Sequence, residues 1–423
     1  MAHLQPFKGI RFNPASITAE GDVITPPYDV IDSHEQDRLH KKNPYNIIRL
    51  EYGKEYSTDN DQDNRYSRAE SALRQWLEDD ILEPDREPCY YLYEQIYTYN
   101  SASYSRRGVI AALRVAEYSE KIVLPHELTM SAPKADRMEL LSRLRTNISP
   151  IFTLFPDPDQ RMDQYFAAVR NTKPLVEAAE DSGQRHRLWA LSDQDLQRDL
   201  TSYLAPQPLL IADGHHRYET ALAYSRSSRD TESPGKNYVL AALVSMKDPG
   251  LLILPTHRLV RELTGLQEKL LDEVISGRFD YSDYGPLNGM NSEDYLHKLS
   301  LSGSSSSIGL IKDGRAGYLK PKYDQLTEKL PVALLHEQIL KPVLAPDEKS
   351  EVDKSMLSYP HDLEAAIEAL ISGQARVGFI LEPIQVEEIL KRAEKGEVMP
   401  QKSTFFYPKL PSGLVMHHHR LSY

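Results

Sequence analysis

Apolar residues recur along the chain with two periods. Between Arg65 and Leu82, Ala69, Ala72, Leu73, Trp76 and Leu77 fall three and four positions apart. That spacing predicts an amphipathic helix, closed by Asp79-Asp80 and Pro84. Met138, Leu141 and Leu144 repeat the pattern over 135–144, behind Pro133. Runs rich in aromatic and β-branched residues predict strands at 89–99, 107–115, 208–212, 238–246, 308–312 and 376–381. These elements do not alternate regularly, so the pattern predicts an α+β fold with mixed sheets rather than one doubly wound sheet.

Polar stretches punctuate the pattern. Residues 54–68 (KEYSTDNDQDNRYSR) have no apolar period and read as a surface loop. Residues 300–307 (SLSGSSSS) have a flexible-linker composition and place a soft boundary between regions 1–299 and 300–423. From Met399 onward, Pro, Gly and aromatics predict short extended pieces joined by turns. At 423 residues, a scale of about 150 residues per domain gives roughly two or three domains.

Charge narrows the function classes. Fifty Lys and Arg against 62 Asp and Glu leave a formal charge of −12, without a long basic stripe. Binding a phosphate backbone needs clustered cations, so the expected partner is a small molecule, not nucleic acid. No window approaches 18 apolar residues, and Met1 to Pro6 lacks the regions of a signal peptide. A cytoplasmic protein with no membrane partner is the expectation, and oligomeric state is not legible. The single cysteine, Cys89, lies in an apolar run and reads as core.

The segment most loaded with chemistry is 208–224, PLLIADGHHRYETALAY. A short apolar strand meets Asp213-Gly214, and helical spacing resumes at Tyr218, Ala221 and Leu222. His215, His216 and Arg217 are therefore predicted in a helix's first turn, whose unsatisfied amides and positive dipole end attract anions. Gly214 lets an anion approach the backbone, and Arg217 offers a planar fork for phosphate or carboxylate. Histidines there resist protonation unless an anion is bound. The bland alternative makes Asp213 a helix cap, the histidines packing groups and Arg217 a partner of Glu219. A metal is a rival, because His215 or His216 with Glu219 have one-face spacing. However, His126-Glu127 and His336-Glu337 lack the second histidine of a HExxH motif.

Residues 212–221 of this segment are accompanied by five further blocks: 24–31 (ITPPYDVI), His126-Glu127 with 133–137 (PKADR), 149–152 (SPIF), 254–258 (LPTHR) and 399–404 (MPQKST). Together they resemble the DUF1015 family across nearly the whole chain, a resemblance that implies no reaction. Asp213 to Arg217 is also similar to the signature of the ParB/sulfiredoxin-like superfamily. That resemblance implies a strand-turn-helix holding nucleotide phosphates at the helix start. The superfamily includes chromosome-partitioning CTP switches, sulfiredoxin and free-serine kinases. Sulfiredoxin's cysteine aligns with His215, and the partitioning proteins' Gly-Glu-Arg-Arg is replaced by Gly214-His215-His216-Arg217. The Asp-Gly-His pattern of the serine-kinase branch fits best.

The implied activity is phosphoryl transfer to a small hydroxylated metabolite, with free serine as leading acceptor. Its cofactors would be Mg²⁺ and a nucleotide or pyrophosphate donor. In that reading Gly214, His216 and Arg217 hold phosphate, Asp213 aligns Mg²⁺ or the acceptor, and His215 contacts the reacting group. Lys134 and Arg137 are further phosphate candidates, with surface charge as the alternative, and His257 with Arg258 forms a second phosphate-facing pair. Glu127 is the candidate base, and Asp29 could fill that role or simply stabilise a turn. Lys402-Ser403-Thr404 lacks the preceding glycines of a phosphate-binding loop. A nucleotide-binding regulatory module without turnover and a metal-dependent phosphomonoester hydrolase would use the same residues.

Overall fold

The computed structural model describes residues 1–129, 131–227, 233–287, 292–300, 306–345 and 352–422. It is a mixed α and β protein with several sheets. The chain forms two compact units. The first takes Met1–Leu252, Leu390–Gly396 and Phe406–Tyr423, and the second Ile253–Ile389 and Glu397–Phe405.

The first unit is built on a nine-stranded sheet. Its strands are β1 (Leu4–Gln5), β2 (Tyr90–Tyr99), β3 (Ala102–Arg114), β4 (Val123–Leu124), β5 (Ile151–Phe155), β6 (Val176–Ala179), β7 (Arg185–Leu191), β8 (Leu209–Asp213) and β9 (Tyr238–Ser245). They run in the order β4-β8-β5-β9-β3-β2-β7-β6, with β1 added on β3. The β4–β8 and β5–β9 pairs are parallel and the others antiparallel. Strand β9 lies inside the sheet, which explains its unbroken apolar run Val239 to Val244.

Strand β3 begins five residues before the expected 107. Its first residues, Ala102 to Arg106, carry little apolar signal, but Asn100 and Ser101 both adopt positive φ, 45° and 63°. Two such residues form the tight reversal whose twist suits a hairpin, and they bring Ala102 opposite Tyr99.

Four helices belong to this unit, α1 (Arg65–Glu78), α2 (Ser131–Leu144), α3 (Gln194–Leu204) and α4 (His215–Arg226); α3 and α4 pack on the sheet and α1 packs on α2. Asn64 caps α1 by accepting from the amides of Tyr66 and Ser67. The polar stretch therefore ends at Asn64, and α1 stops at Glu78, directly before Asp79-Asp80. Helix α2 starts ahead of the expected 135, with Pro133 in its first turn, where a missing N–H costs no hydrogen bond. Helices α2 and α4 pack on each other. In the tail, Phe405–Tyr407 and His417–His418 are the short extended pieces expected from the pattern. Cys89 is buried.

The second unit has a six-stranded antiparallel sheet of β10 (Arg258–Val260), β11 (Phe279–Pro286), β12 (Ile308–Lys312), β13 (Arg315–Pro321), β14 (Leu357–Ser358) and β15 (Val377–Ile380). Its order is β11-β13-β12-β15-β10-β14. Adjacent residues feed two cores. Val260, Leu310 and Phe379 pack with Leu271 and Ile275 on one face, and Leu259, Ile311 and Ile380 pack with Leu363 and Ile367 on the other. Residues 300–307 fall inside this unit, ahead of β12, and 301–305 of that stretch lie outside the described residues. No helix among the described residues is long and apolar enough to cross a membrane.

Candidate functional site

Strand β8 ends at Asp213, and Gly214 turns the chain with φ 91° and ψ 26°, a left-handed conformation that favours glycine. Helix α4 then starts at His215, as the spacing predicts, and no side chain caps its amino end. The positive end of a twelve-residue helix is thus presented directly after the strand.

Asp213 collects two cations. Arg217 Nη2 donates to Asp213 Oδ2 at 2.6 Å, and Lys409 Nζ donates to Asp213 Oδ1. Burial alone would raise the Asp213 carboxyl, but Lys409 and then Arg217 hold it below the usual carboxylate range. Two cations thus meet at this carboxylate, with Asp29, Glu51 and Glu127 within electrostatic reach of one or the other. Arg217 is also fixed by Nη1, which donates to the Pro150 carbonyl at 2.5 Å.

Lys409 reaches Asp213 because the tail that carries it is pinned. Buried Arg106, on β3, donates to the carbonyls of Tyr407 at 3.2 Å and Pro408 at 2.6 Å. Gln95, on β2, donates to the Lys409 carbonyl at 3.1 Å.

His215 is buried beside His126, with ring centroids 4.7 Å apart. Burial, then the neighbouring His126, pushes its imidazole down to about 3, so it is neutral near pH 7. The His126 backbone N–H donates to His215 Nε2 at 3.3 Å, which assigns the ring proton to Nδ1. His126 Nδ1 lies 2.6 Å from the Ile211 carbonyl, so it is the donor there and ties the 123–127 segment to β8.

Glu127 is 3.6 Å from His126 Nε2. Burial would raise its carboxyl, but His126, His215 and Lys409 together lower it to about 2. Half-buried His216 is held below the ordinary imidazole range by burial, against the opposing pull of Glu219 and Asp29. Asp29, in a short turn of helix at Tyr28–Val30, is exposed and within electrostatic reach of His216, Arg217 and Lys409.

The remaining sequence candidates divide. Lys134, at the start of α2, donates to Glu219 Oε2 at 2.9 Å, and Thr129 donates to the same oxygen at 2.7 Å. Lys134, its side chain 37% exposed, is thus half of an α2–α4 ion pair beside His216. Arg137 is buried, with its guanidinium 4.0 Å from the Tyr28 ring centroid, and donates to Asp136 at 2.8 Å and the Glu51 carbonyl at 2.9 Å.

His257 and Arg258 belong to the second unit and are buried there. Arg258 donates to the carbonyls of Thr256 at 2.6 Å and Lys402 at 2.9 Å, and His257 Nδ1 accepts from the Leu381 amide at 3.2 Å. These contacts give the pair a role inside its own unit.

The structure changes the role expected of Asp213. Each of its oxygens already accepts from a cation, so it holds Arg217 and Lys409 in place rather than offering an open ligand position. Among the described residues no group of three or more His, Cys, Asp or Glu is arranged to hold a metal ion. Sequence reasoning missed Lys409 altogether, although one lysine between Pro408 and Pro411 in an apolar tail was a visible oddity. In the sequence His126 carries no role beyond its block, and no local pattern connects Glu51 or Tyr28 with this turn.

A family model described as "Protein of unknown function (DUF1015)" matches residues 4–338. None of the curated proteins matches the chain. Among solved structures, a variant of a free serine kinase in complex with ADP is similar at 13% identity, over 74% of this chain and 92% of that one, with a TM-score of 0.40. A conserved hypothetical protein from Pyrococcus furiosus is similar at 15% identity, over 74% and 95% of the two chains, with a TM-score of 0.38. SbnI with a C-terminal truncation from Staphylococcus aureus is similar at 12% identity, over 71% and 84%, with a TM-score of 0.37.

Proposed function

We propose a reaction for this chain, which belongs to the DUF1015 family of proteins of unknown function: transfer of a phosphoryl group from a nucleotide or pyrophosphate to the hydroxyl of a small metabolite, free serine foremost. The observation that carries this reading is the uncapped start of α4, where Arg217 and Lys409 both bond Asp213 directly before the Gly214 turn. The resemblance of Asp213 to Arg217 to the ParB/sulfiredoxin-like helix start points the same way, and serine comes from the Asp-Gly-His pattern.

Phosphoryl transfer asks a protein mainly for positioning and charge neutralisation. The first amides of α4, with Arg217 and Lys409, supply the charge for the donor's phosphates. Neutral His216 donates one ring N–H, and a bound dianion would favour its protonated form. The acceptor oxygen forms its bond to phosphorus as the bond to the leaving phosphate breaks, and the electron pair departs with that phosphate. A carboxylate takes the hydroxyl proton.

Of the two candidates, Glu127 at about 2 is a weak proton acceptor. Asp29 is exposed beside the same cations, and we assign it the base role. A magnesium ion arriving on the donor would add charge neutralisation, and it would draw on Asp29 rather than on Asp213, whose oxygens are engaged.

Steady-state kinetics with calorimetric binding tests these roles. Asp29→Asn should lower kcat by about 10²-fold or more while leaving nucleotide affinity within about twofold, and Arg217→Ala should weaken nucleotide binding about tenfold or more. Full turnover in Asp29→Asn would remove Asp29 from the mechanism.

A further inference from the structure

A cavity in the first unit is lined from both α2 and α4. Its polar lining includes Glu51, Arg137, Ser149 and Thr220, which the phosphate turn does not use, and Arg217, which it shares. Glu51 is 2% exposed, and its Oε1 accepts from Ser149 Oγ at 3.0 Å and lies 3.7 Å from Arg137 Nη1. The second oxygen of this carboxylate accepts no hydrogen bond among the described residues. Thr220 Oγ1 is buried with no hydrogen-bond partner, although a helical threonine has the carbonyl four residues back within reach. Unsatisfied buried polar atoms are uncommon, and this hydroxyl lines a cavity beside a buried carboxylate, which points to a missing partner.

The chemistry of the lining identifies that partner. A buried carboxylate accepts only, and an ammonium group satisfies it. Guanidinium forks match a carboxylate. Leu140 and Leu141 add an apolar wall that suits a short carbon skeleton. Arg217 belongs to this cavity and also bonds Asp213 at 2.6 Å, so a ligand here lies next to the phosphate turn.

We propose that this cavity is the acceptor subsite and reads the zwitterion of a small amino acid, Glu51 taking its ammonium and Arg137 with Arg217 its carboxylate. The proposal rests on the phosphoryl-transfer reading for the direction of the hydroxyl, which points toward Asp213. It adds a recognition rule that the phosphate turn alone does not contain: both charged groups of the acceptor are required.

The test is calorimetric titration of the full chain, with and without ADP, using L-serine, ethanolamine and 3-hydroxypropionate. L-Serine should bind, and the two analogues, each lacking one charged group, should bind at least tenfold more weakly. Glu51→Gln should weaken L-serine at least tenfold and ADP less than twofold, and the near-isosteric Thr220→Val should weaken L-serine a few-fold. If Glu51→Gln fails to fold, the analogue series on the unaltered chain decides.

Equal binding of all three compounds, no binding of L-serine under either condition, or unchanged serine affinity in both variants would overturn the subsite. Glu51-dependent serine binding without phosphoserine formation would support the subsite and overturn the kinase reading. Equal phosphorylation of ethanolamine, 3-hydroxypropionate and serine would do the reverse.

Discussion

Asp213 and Lys409 are 196 positions apart in sequence, yet their side chains share a hydrogen bond at the start of α4. The Lys409 side chain is 16% exposed and that of Asp213 12%, so removing the ammonium leaves a mostly buried carboxylate with Arg217 as its remaining cationic partner. Lys409→Met should cost about 2 kcal/mol by urea unfolding and weaken nucleotide binding about tenfold. Unchanged affinity would remove Lys409 from the phosphate site. His215 makes a separate, pH-dependent contribution. Its imidazole sits at about 3 in the folded chain and near 6.5 when unfolded, so between these values the unfolded state binds the extra proton. Stability therefore rises with pH across that window and is lost on acidification, by up to about 1.4 kcal/mol per pH unit. His40 and His257, both lowered to about 4 by burial, act in the same direction. His215→Gln should flatten the stability slope between about pH 4 and 6 by roughly that amount, and an unaltered slope would mean the ring is not held neutral. The Asp-Gly-His-His-Arg segment was legible because its parts are adjacent and its helical phase is clear. Lys409 was not, because Arg106 and Gln95 place it through contacts that no local pattern encodes.

The turn from β8 to α4 depends on Gly214. A Cβ there would force a left-handed residue, costing about 1–2 kcal/mol, and would lie 3.1 Å from Arg217 Nε, Arg217 Nη2 and Ile151 Cγ2. Gly214→Ala should therefore lower the unfolding midpoint and also weaken phosphate binding, because the guanidinium must move. Calorimetry that finds lower stability with unchanged nucleotide affinity would separate the turn from the site. Periodicity predicted the cores of elements better than their ends. Strands β9 and β12 were readable as apolar runs, whereas the first residues of β3 are held by the Asn100-Ser101 hairpin and by pairing across from β2. The amino end of α2 was missed because helical residues 131–134 precede the first apolar repeat, and Pro133 within them resembles a boundary.

Across the whole molecule, the net charge of −12 and the amino end of α4 act at different ranges. The former opposes polyanions in general, and the latter selects a small anion at short distance, where screening is weak. All groups assigned to the phosphate turn and the acceptor cavity lie in the first unit. Hydrogen exchange with saturating ADP should accordingly slow amides within 209–220 and 406–410 and leave Phe279–Pro286 of the second unit unchanged. Protection centred on the second unit instead would place the nucleotide elsewhere. Sequence could not show this assembly, because the unit draws its carboxylates from near residues 29, 51 and 127 and its lysine from the tail. Turnover is decided by phosphorus NMR. The full chain with Mg²⁺ is incubated with ATP, ADP or pyrophosphate, with and without L-serine, beside a His216→Ala control. A phosphoserine signal that requires serine and a donor, and that is lost in the variant, is the predicted result. Spectra identical with and without serine for every donor would contradict phosphoryl transfer to serine.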